Sequence, residues 1–562
     1  MNHNTGVDQH QNYIVERGHK VPMRDGTLLT THVYLPDVDG SYPVVLERGY
    51  VPGMEENAYA FLDAGYAYVG QKARGDLNGN MFFPDAQDGY DCLEWVSQQT
   101  WCNGDIAMYG RSFHGGTQWL VAPEQHPNLK AIIPQNFNPD PWEKAYRDHG
   151  ALALAHTARR IYRTVATDNT HQATEFDNTD LIREFGGWDG FYRHLPLIDL
   201  DEAMTGSKNN LWREYVGHDT YDDYWKAISV RDKFDKITIP VFIMGGWYDY
   251  YTGAAFNAYR NLRELGATPE IRIVINPANH YNHIVGDRDF GDSPDKDELL
   301  LATRWLDRVI KGEENGVEDE PRVSIFVMGE NKWRGEDEWP LARTVFTNYY
   351  FRSDGSRVGE LSTQEPAGEL PTIYNYDPDD PVPTLGGNHS SPEDNPEVIR
   401  VGPVDQRSIA ERDDVLVFTT SPLAEDTEVT GPVAVTLWAA TSGKDTDFIA
   451  RLIDLYPDGT AFNLTEGIIR ARFRESIWEE PKLLTPGEIY EYSLELLPTS
   501  NLFRKGHRIS VHLTSSSFPM FDRNPNTGNE QCRDTEQQVA AQTIYHDAQY
   551  PSHIVLPVIP AG

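Results

Sequence analysis

A chain of 562 residues exceeds what one hydrophobic core supports and implies two or three domains. Its 39% hydrophobic and 11% aromatic residues are ordinary for a globular protein, while 86 acidic against 49 basic residues set a net charge of −37. Such a surface repels phosphate backbones and anionic lipid, which excludes nucleic acid as a partner. No run approaches the roughly 18 apolar residues of a spanning helix, so no membrane segment is expected. Met1 to Asn12 is polar and carries no secretory signal. Cys92, Cys102 and Cys532 are an odd count without metal-ligand spacing. They read as reduced thiols of a cytoplasmic protein, with a Cys92–Cys102 bridge as the alternative.

In chain order, residues 13 to 46 read as paired strands, with a turn at Arg24-Asp-Gly26 and a short buried strand at Pro43-Val-Val-Leu46. A helical segment follows to Ala64, then a buried strand from Tyr66 to Gly70, then Arg74-Gly75-Asp76. Asp85 to Gln99 reads as a helix, and Ile106 to Tyr109 as the next strand. This alternation implies a mostly parallel sheet covered on both faces, with a site at the carboxyl ends of its strands. After Ile132-Ile-Pro134 the strand signal stops for about a hundred residues. Trp142 to Thr167 has helical periodicity, with Ala153, His156, Ile161 and Val165 near one stripe, and Asp180 to Tyr192 and Leu211 to Val216 continue it. Such an insertion reads as a cap over the site. The sheet resumes at Ile239 to Met244 and Ile271 to Ile275, and Asp297 to Lys311 reads as an amphipathic helix. From about residue 345 the pattern alternates with period two between turn residues, as in an all-β sandwich or jelly roll. Pro371 to Glu397 reads as a long Pro/Asp-rich loop.

Gly110-Arg-Ser112-Phe-His-Gly115-Gly116, placed directly after a strand, has the grammar of a nucleophile elbow, a strained strand-to-helix turn that lifts a serine hydroxyl off the sheet. A serine needs a base, the base needs an orienting carboxylate, and the oxyanion needs donors. In α/β hydrolases these follow in the order Ser, Asp, His, each after a strand. Ser112, Asp249 and His280 supply that order, with His283 as a rival base three residues on.

Several motifs then define a resemblance: Trp101-Cys-Asn-Gly104, the elbow with Thr117-Gln-Trp119, Tyr221-Asp-Asp-Tyr-Trp225, Gly245-Gly-Trp-Tyr-Asp249, Phe326-Val-Met-Gly329 and Phe521-Asp-Arg-Asn-Pro525. The chain resembles the bacterial cocaine-esterase and α-amino-acid ester hydrolase family, related to X-Pro dipeptidyl-peptidases. The resemblance implies an α/β hydrolase core with an inserted helical cap and a C-terminal all-β jelly-roll domain. The corresponding spans are 1–141 and 237–344 for the core, 142–236 for the cap and 345–562 for the β domain. It implies Ser112 as nucleophile, His280 as base and acid, Asp249 as its orienter, and an oxyanion hole from the Tyr50 hydroxyl and the Phe113 N–H. Tyr251 matches an acyl-pocket position, and Trp142, Tyr146 and Trp188 are candidate cap walls. Gly49 stands where the family usually has proline before this tyrosine, which should loosen the loop. Phe113 replaces the usual tyrosine, and Ala73 a common acidic residue.

The function implied is a serine carboxylesterase or acylase working through an acyl-enzyme on a small-molecule ester or amide, without metal or cofactor, in a homodimer or homotetramer. An X-Pro dipeptidyl-peptidase or α-amino-acid ester hydrolase is the alternative, and needs a carboxylate such as Asp148, Glu184, Asp189, Asp222 or Asp223 for a substrate ammonium. A carbohydrate-binding protein with an inert core is a third reading.

Overall fold

The computed structural model describes residues 6–10, 13–74, 85–159, 182–292, 296–389 and 400–560. Two eleven-stranded sheets organise them. The first runs in the order β1 (Gly6–His10), β2 (Tyr13–Pro22), β3 (Leu28–Pro36), β5 (Ala67–Lys72), β4 (Tyr42–Gly49), β6 (Cys102–Arg111), β7 (Leu129–Gln135), β10 (Val241–Gly246), β11 (Ile271–Asn276), β12 (Val323–Val327) and β13 (Lys332–Glu336). From β5 to β12 every pairing is parallel. Strands so placed are covered on both faces, which is why Val44–Leu46, Ile106–Met108 and Val241–Met244 read as unbroken apolar runs and are buried throughout. Helices Glu55–Asp63, Asp85–Ser97, Phe113–Val121, Thr252–Leu265 and Glu298–Val309 connect or cover them.

Three expectations change in detail. Within residues 13 to 46, β2 and β3 pair with each other antiparallel, while the strand at Pro43–Leu46 lies in the parallel centre between β5 and β6. Trp142 to Thr167 is not one helix. Pro141–Lys144 is helical, β8 (Arg147–Asp148) and β9 (Ala151–Leu152) form a hairpin, and residues 154–159 are helical again, with 160–167 outside the described residues. The hairpin turns on His149 (φ 44°) and Gly150 (φ 89°), the two positive-φ positions that a two-residue turn demands. Pro371 to Glu397 begins as a strand, Thr372–Tyr376, paired with Ala540–Ile544, while 390–399 lie outside the described residues. So do Gly75, Asp76 and Asp180.

The second sheet is almost wholly antiparallel, with Thr427–Thr441 paired to Tyr490–Phe503 and Asp447–Leu455 paired to Ala461–Arg470 and Arg508–Thr514. The sheets are joined through main chain: Met328, just past β12, donates to Ser500 O (3.0 Å) and accepts from Leu502 N (2.7 Å). One continuous apolar core spans both. The three cysteines are free thiols, so the Cys92–Cys102 bridge is absent, and burial pushes Cys92 and Cys532 up to about 12. Among the described residues no helix is long and apolar enough to cross a membrane.

Candidate active site

β6 delivers Ser112 to the head of helix Phe113–Val121 with φ 59° and ψ −128°, a conformation that costs a non-glycine residue energy and aims the side chain away from the sheet. Its N–H donates to Gln135 O (2.9 Å) on β7, and its carbonyl accepts from Gly115 N (2.8 Å) and Gly116 N (3.0 Å). A Cβ at Gly115 would lie 2.8 Å from Gln135 O, so the glycine one residue beyond the usual Gly-x-Ser-x-Gly position lets the helix close on β7. Gly110, at φ 148°, fills the other tight contact, where a Cβ would meet His114 Cβ at 2.6 Å.

β10 and β11 deliver the second and third groups. Asp249 is 1% exposed, and its Oδ1 accepts from Tyr251 N (3.3 Å) and lies 3.1 Å from His280 Nδ1. An ionised carboxylate only accepts, so this pairing puts the ring proton on Nδ1 and leaves the Nε2 lone pair free to take a proton. Asp249 Oδ2 is buried without a hydrogen-bond partner among the described residues. His283, the rival, is exposed, and its N–H donates to Asn279 Oδ1 (3.0 Å). The structure therefore sets His280, not His283, on the carboxylate. The three residues end β6, β10 and β11 on one edge of the sheet, with only β7 between the first two.

Tyr50 follows β4 on the same edge, its ring 4.8 Å from that of Phe113. The expectation that Gly49 loosens this loop fails. Gly49 is paired with Lys72 in the sheet, and its carbonyl accepts from Ala73 N (2.7 Å). A Cβ at 49 would overlap the His114 ring. That ring is held by Glu47, whose Oε1 lies 2.5 Å from His114 Nδ1 and whose Oε2 accepts from Tyr68 and Asn57. Burial alone would push Glu47 up, but the His114 ring, Tyr68 and Asn57 outweigh it and hold this carboxyl below its ordinary value.

The pocket candidates separate. Tyr251 lies between Phe137 (5.3 Å) and His280 (5.5 Å), and its hydroxyl meets His156 Nε2 at 3.3 Å. Tyr146 continues this chain, 5.7 Å from His156 and stacked on Tyr215 at 3.8 Å. Trp142 sits one ring further out against Trp225, with its indole N–H on Ile477 O (3.1 Å). Trp188 packs on Phe191 and Tyr192 against a separate apolar cluster that also holds Phe518 and Cys532 of the β domain. The sequence reading named His156 only as part of a helical stripe and did not single out Phe137. His156 sat in an apolar stripe, where a histidine gives no signal of the ring it will meet.

Loops of the β domain complete the edge. Asn388 Nδ2 donates to Trp247 O beside Asp249, and Pro403 O accepts from Asp287 N (2.7 Å) on the loop after His280. Buried Glu298, in the first turn of its helix, joins Arg111 to Asn276 (3.1 Å to Asn276 Nδ2). Burial raises its carboxyl, and the neighbouring Asp249 charge adds to the rise.

A strained serine at a strand-to-helix turn and a carboxylate–imidazole pair on one edge of a parallel sheet are the parts of a serine α/β hydrolase. Residues 25–282 match the X-Pro dipeptidyl-peptidase (S15 family) profile, and residues 315–555 match that of the X-Pro dipeptidyl-peptidase C-terminal non-catalytic domain. The chain is 36% identical to the cocaine esterase of Rhodococcus sp. (strain MB1 Bresler), over 98% of this chain and 99% of that protein. Among solved structures it superposes on an aminopeptidase from a marine sediment Thaumarchaeota archaeon with TM-score 0.81, at 26% identity over 98% and 97% of the two chains. It matches an α-amino acid ester hydrolase with TM-score 0.80, at 25% identity over 97% of each chain. The chain belongs to the cocaine esterase family of S15-type α/β hydrolases and is a serine ester hydrolase.

Proposed function

We propose that this enzyme hydrolyses small-molecule carboxylic esters, and by extension small amides, through an acyl-enzyme formed on Ser112. His280 takes the serine proton through Nε2 while Asp249 holds the ring and stabilises the imidazolium. The Tyr50 hydroxyl and the Phe113 N–H donate to the carbonyl oxygen as its negative charge develops. A phenol suits that place, because a neutral donor with a pKa near 10 steadies charge without competing as a nucleophile. His280 then protonates the leaving group and, in the second half, activates water. The observation that carries the reading is the 3.1 Å contact of His280 with Asp249 on the same sheet edge as the strained Ser112.

The acyl pocket in this reading is walled by Tyr251 and His156, with Tyr146 behind them. The dipeptidyl-peptidase and amino-ester alternative draws no support from the cap carboxylates it requires. Asp148 is taken by Lys144 (2.7 Å) and His149 (2.6 Å), Asp189 by Arg193 (2.7 Å), and Asp222 by the helix end it caps and His218. Asp223 and Glu184 are exposed. The free thiols fit a reducing, cytoplasmic setting.

Ser112→Ala should abolish turnover of a short p-nitrophenyl ester and labelling by a fluorophosphonate. Retained turnover would overturn the nucleophile assignment. Comparing that ester with Gly-Pro-anilide tests the substrate class, since activity confined to the anilide would favour the peptidase.

A further inference from the structure

The end of β7 touches both halves of the proposed relay. Gln135 O accepts the Ser112 N–H at 2.9 Å, and the next residue, Asn136, donates from Nδ2 to His280 O at 2.6 Å. Asn136 is 4% exposed, and its own N–H is tied to Met244 O (3.0 Å) on β10. Two consecutive residues thus hold the backbone of the nucleophile and the backbone of the base.

The rest of the histidine loop is held differently. Ala278 O accepts from Tyr248 N (3.0 Å), and the turn after His280 is closed on itself by Asn279, whose Oδ1 accepts from Tyr281 N and His283 N (3.0 Å each). The His280 carbonyl is reached across the sheet edge by the Asn136 amide.

This contact is kept against two local costs. Asn136 has φ 47°, which favours asparagine over most residues but still carries strain. Its Oδ1 is buried without a hydrogen-bond partner among the described residues, so the solvation it gave up is not replaced. A residue chosen for stability alone would carry neither. The donor end of the amide is the part in use.

We propose that Asn136 is a positioning residue that sets His280 against Ser112, acting through the His280 backbone rather than on substrate. This rests on the triad assignment above. A carboxylate at 136 would face the His280 carbonyl with repulsion in place of a donor, whereas glycine would accept φ 47° freely and leave the carbonyl unheld.

The experiment measures kcat, KM and thermal midpoint on a p-nitrophenyl ester for wild type, Asn136→Gly, Asn136→Asp and Ser112→Ala. The expected result is a fall in kcat of at least tenfold in Asn136→Gly, with KM within twofold and the midpoint within a few degrees. Asn136→Asp should fall further. Values of kcat within twofold of wild type in both variants would overturn the proposal, as would kcat and KM worsening together alongside a large drop in midpoint, the mark of a merely structural residue. Should Asn136→Gly not fold, Asn136→Asp, equal in size, decides by the same split. Full turnover in Ser112→Ala would instead remove the triad reading, so the two failures are distinguishable.

Discussion

The two eleven-stranded sheets bury their residues by different means. In the first, the middle of the parallel strands is apolar, and most buried polar groups, among them Glu47, Arg48, Asn276, Asp249 and His280, lie at or just past the strands' carboxyl ends, while Arg272 lies at the start of β11. In the second, charges sit inside the sheet. Arg470 is 1% exposed and is held by Asp447 (2.9 Å), Asp522 (2.9 Å) and Gln531 (2.7 Å), and Arg451 pairs with Glu466 at 2.5 Å. Buried charge is therefore not in itself a sign of chemistry. In the β domain Arg470 and Arg451 each meet a carboxylate and hold structure, although two nitrogens of Arg451 are buried without a hydrogen-bond partner among the described residues. At the first sheet's edge, one oxygen of Asp249 and one of Asn136 stay unpartnered among the described residues, and the backbone is strained at Ser112 and Asn136.

That contrast can be broken from either side. Arg470→Ala should cost about 3–5 kcal/mol in denaturant unfolding, because it strands two buried carboxylates. Esterase activity per folded molecule should be unchanged, and a loss under 1 kcal/mol would show the cluster is not structural. Tyr50→Phe should do the reverse, lowering kcat by roughly 10²–10³-fold, or about 3–4 kcal/mol in the barrier, with the melting curve unmoved. A wild-type kcat would place the oxyanion donor elsewhere.

The smallest effect concerns Asp140, at the join between core and cap. Burial and the Glu143 charge push its carboxyl up to about 6, against the pull of Ser229 and the Trp142 N–H. With the folded value above the unfolded one, the unfolded chain gives up its proton first as pH rises. Stability then declines between about pH 4 and pH 6, with a slope of up to about 1.4 kcal/mol per pH unit. Asp140→Asn should flatten that slope in unfolding midpoints taken across the range. An unaltered slope would assign it to another group.

The parallel sheet was legible because strands covered on both faces are written as continuous apolar runs, and Ser112 because glycines must surround it. The choice of Asp249 and His280 followed from their places after strands. Other features depend on contacts between residues distant in sequence. His114 and Glu47 are 67 positions apart, and Asn136 and His280 are 144 apart. No local pattern marks such pairs. The His149–Gly150 hairpin was lost for the opposite reason: two residues of local turn chemistry overrode a helical stripe around them.

The interlock of Gly49 with His114 bears on how relatives can exchange parts. A tyrosine loop beginning with proline, transplanted from a family member, would bring ring atoms into the space His114 fills. Such a chimera would be expected to work only if position 114 shrank in the same step. The geometry thus couples positions 49 and 114: a side chain at the first needs a smaller one at the second.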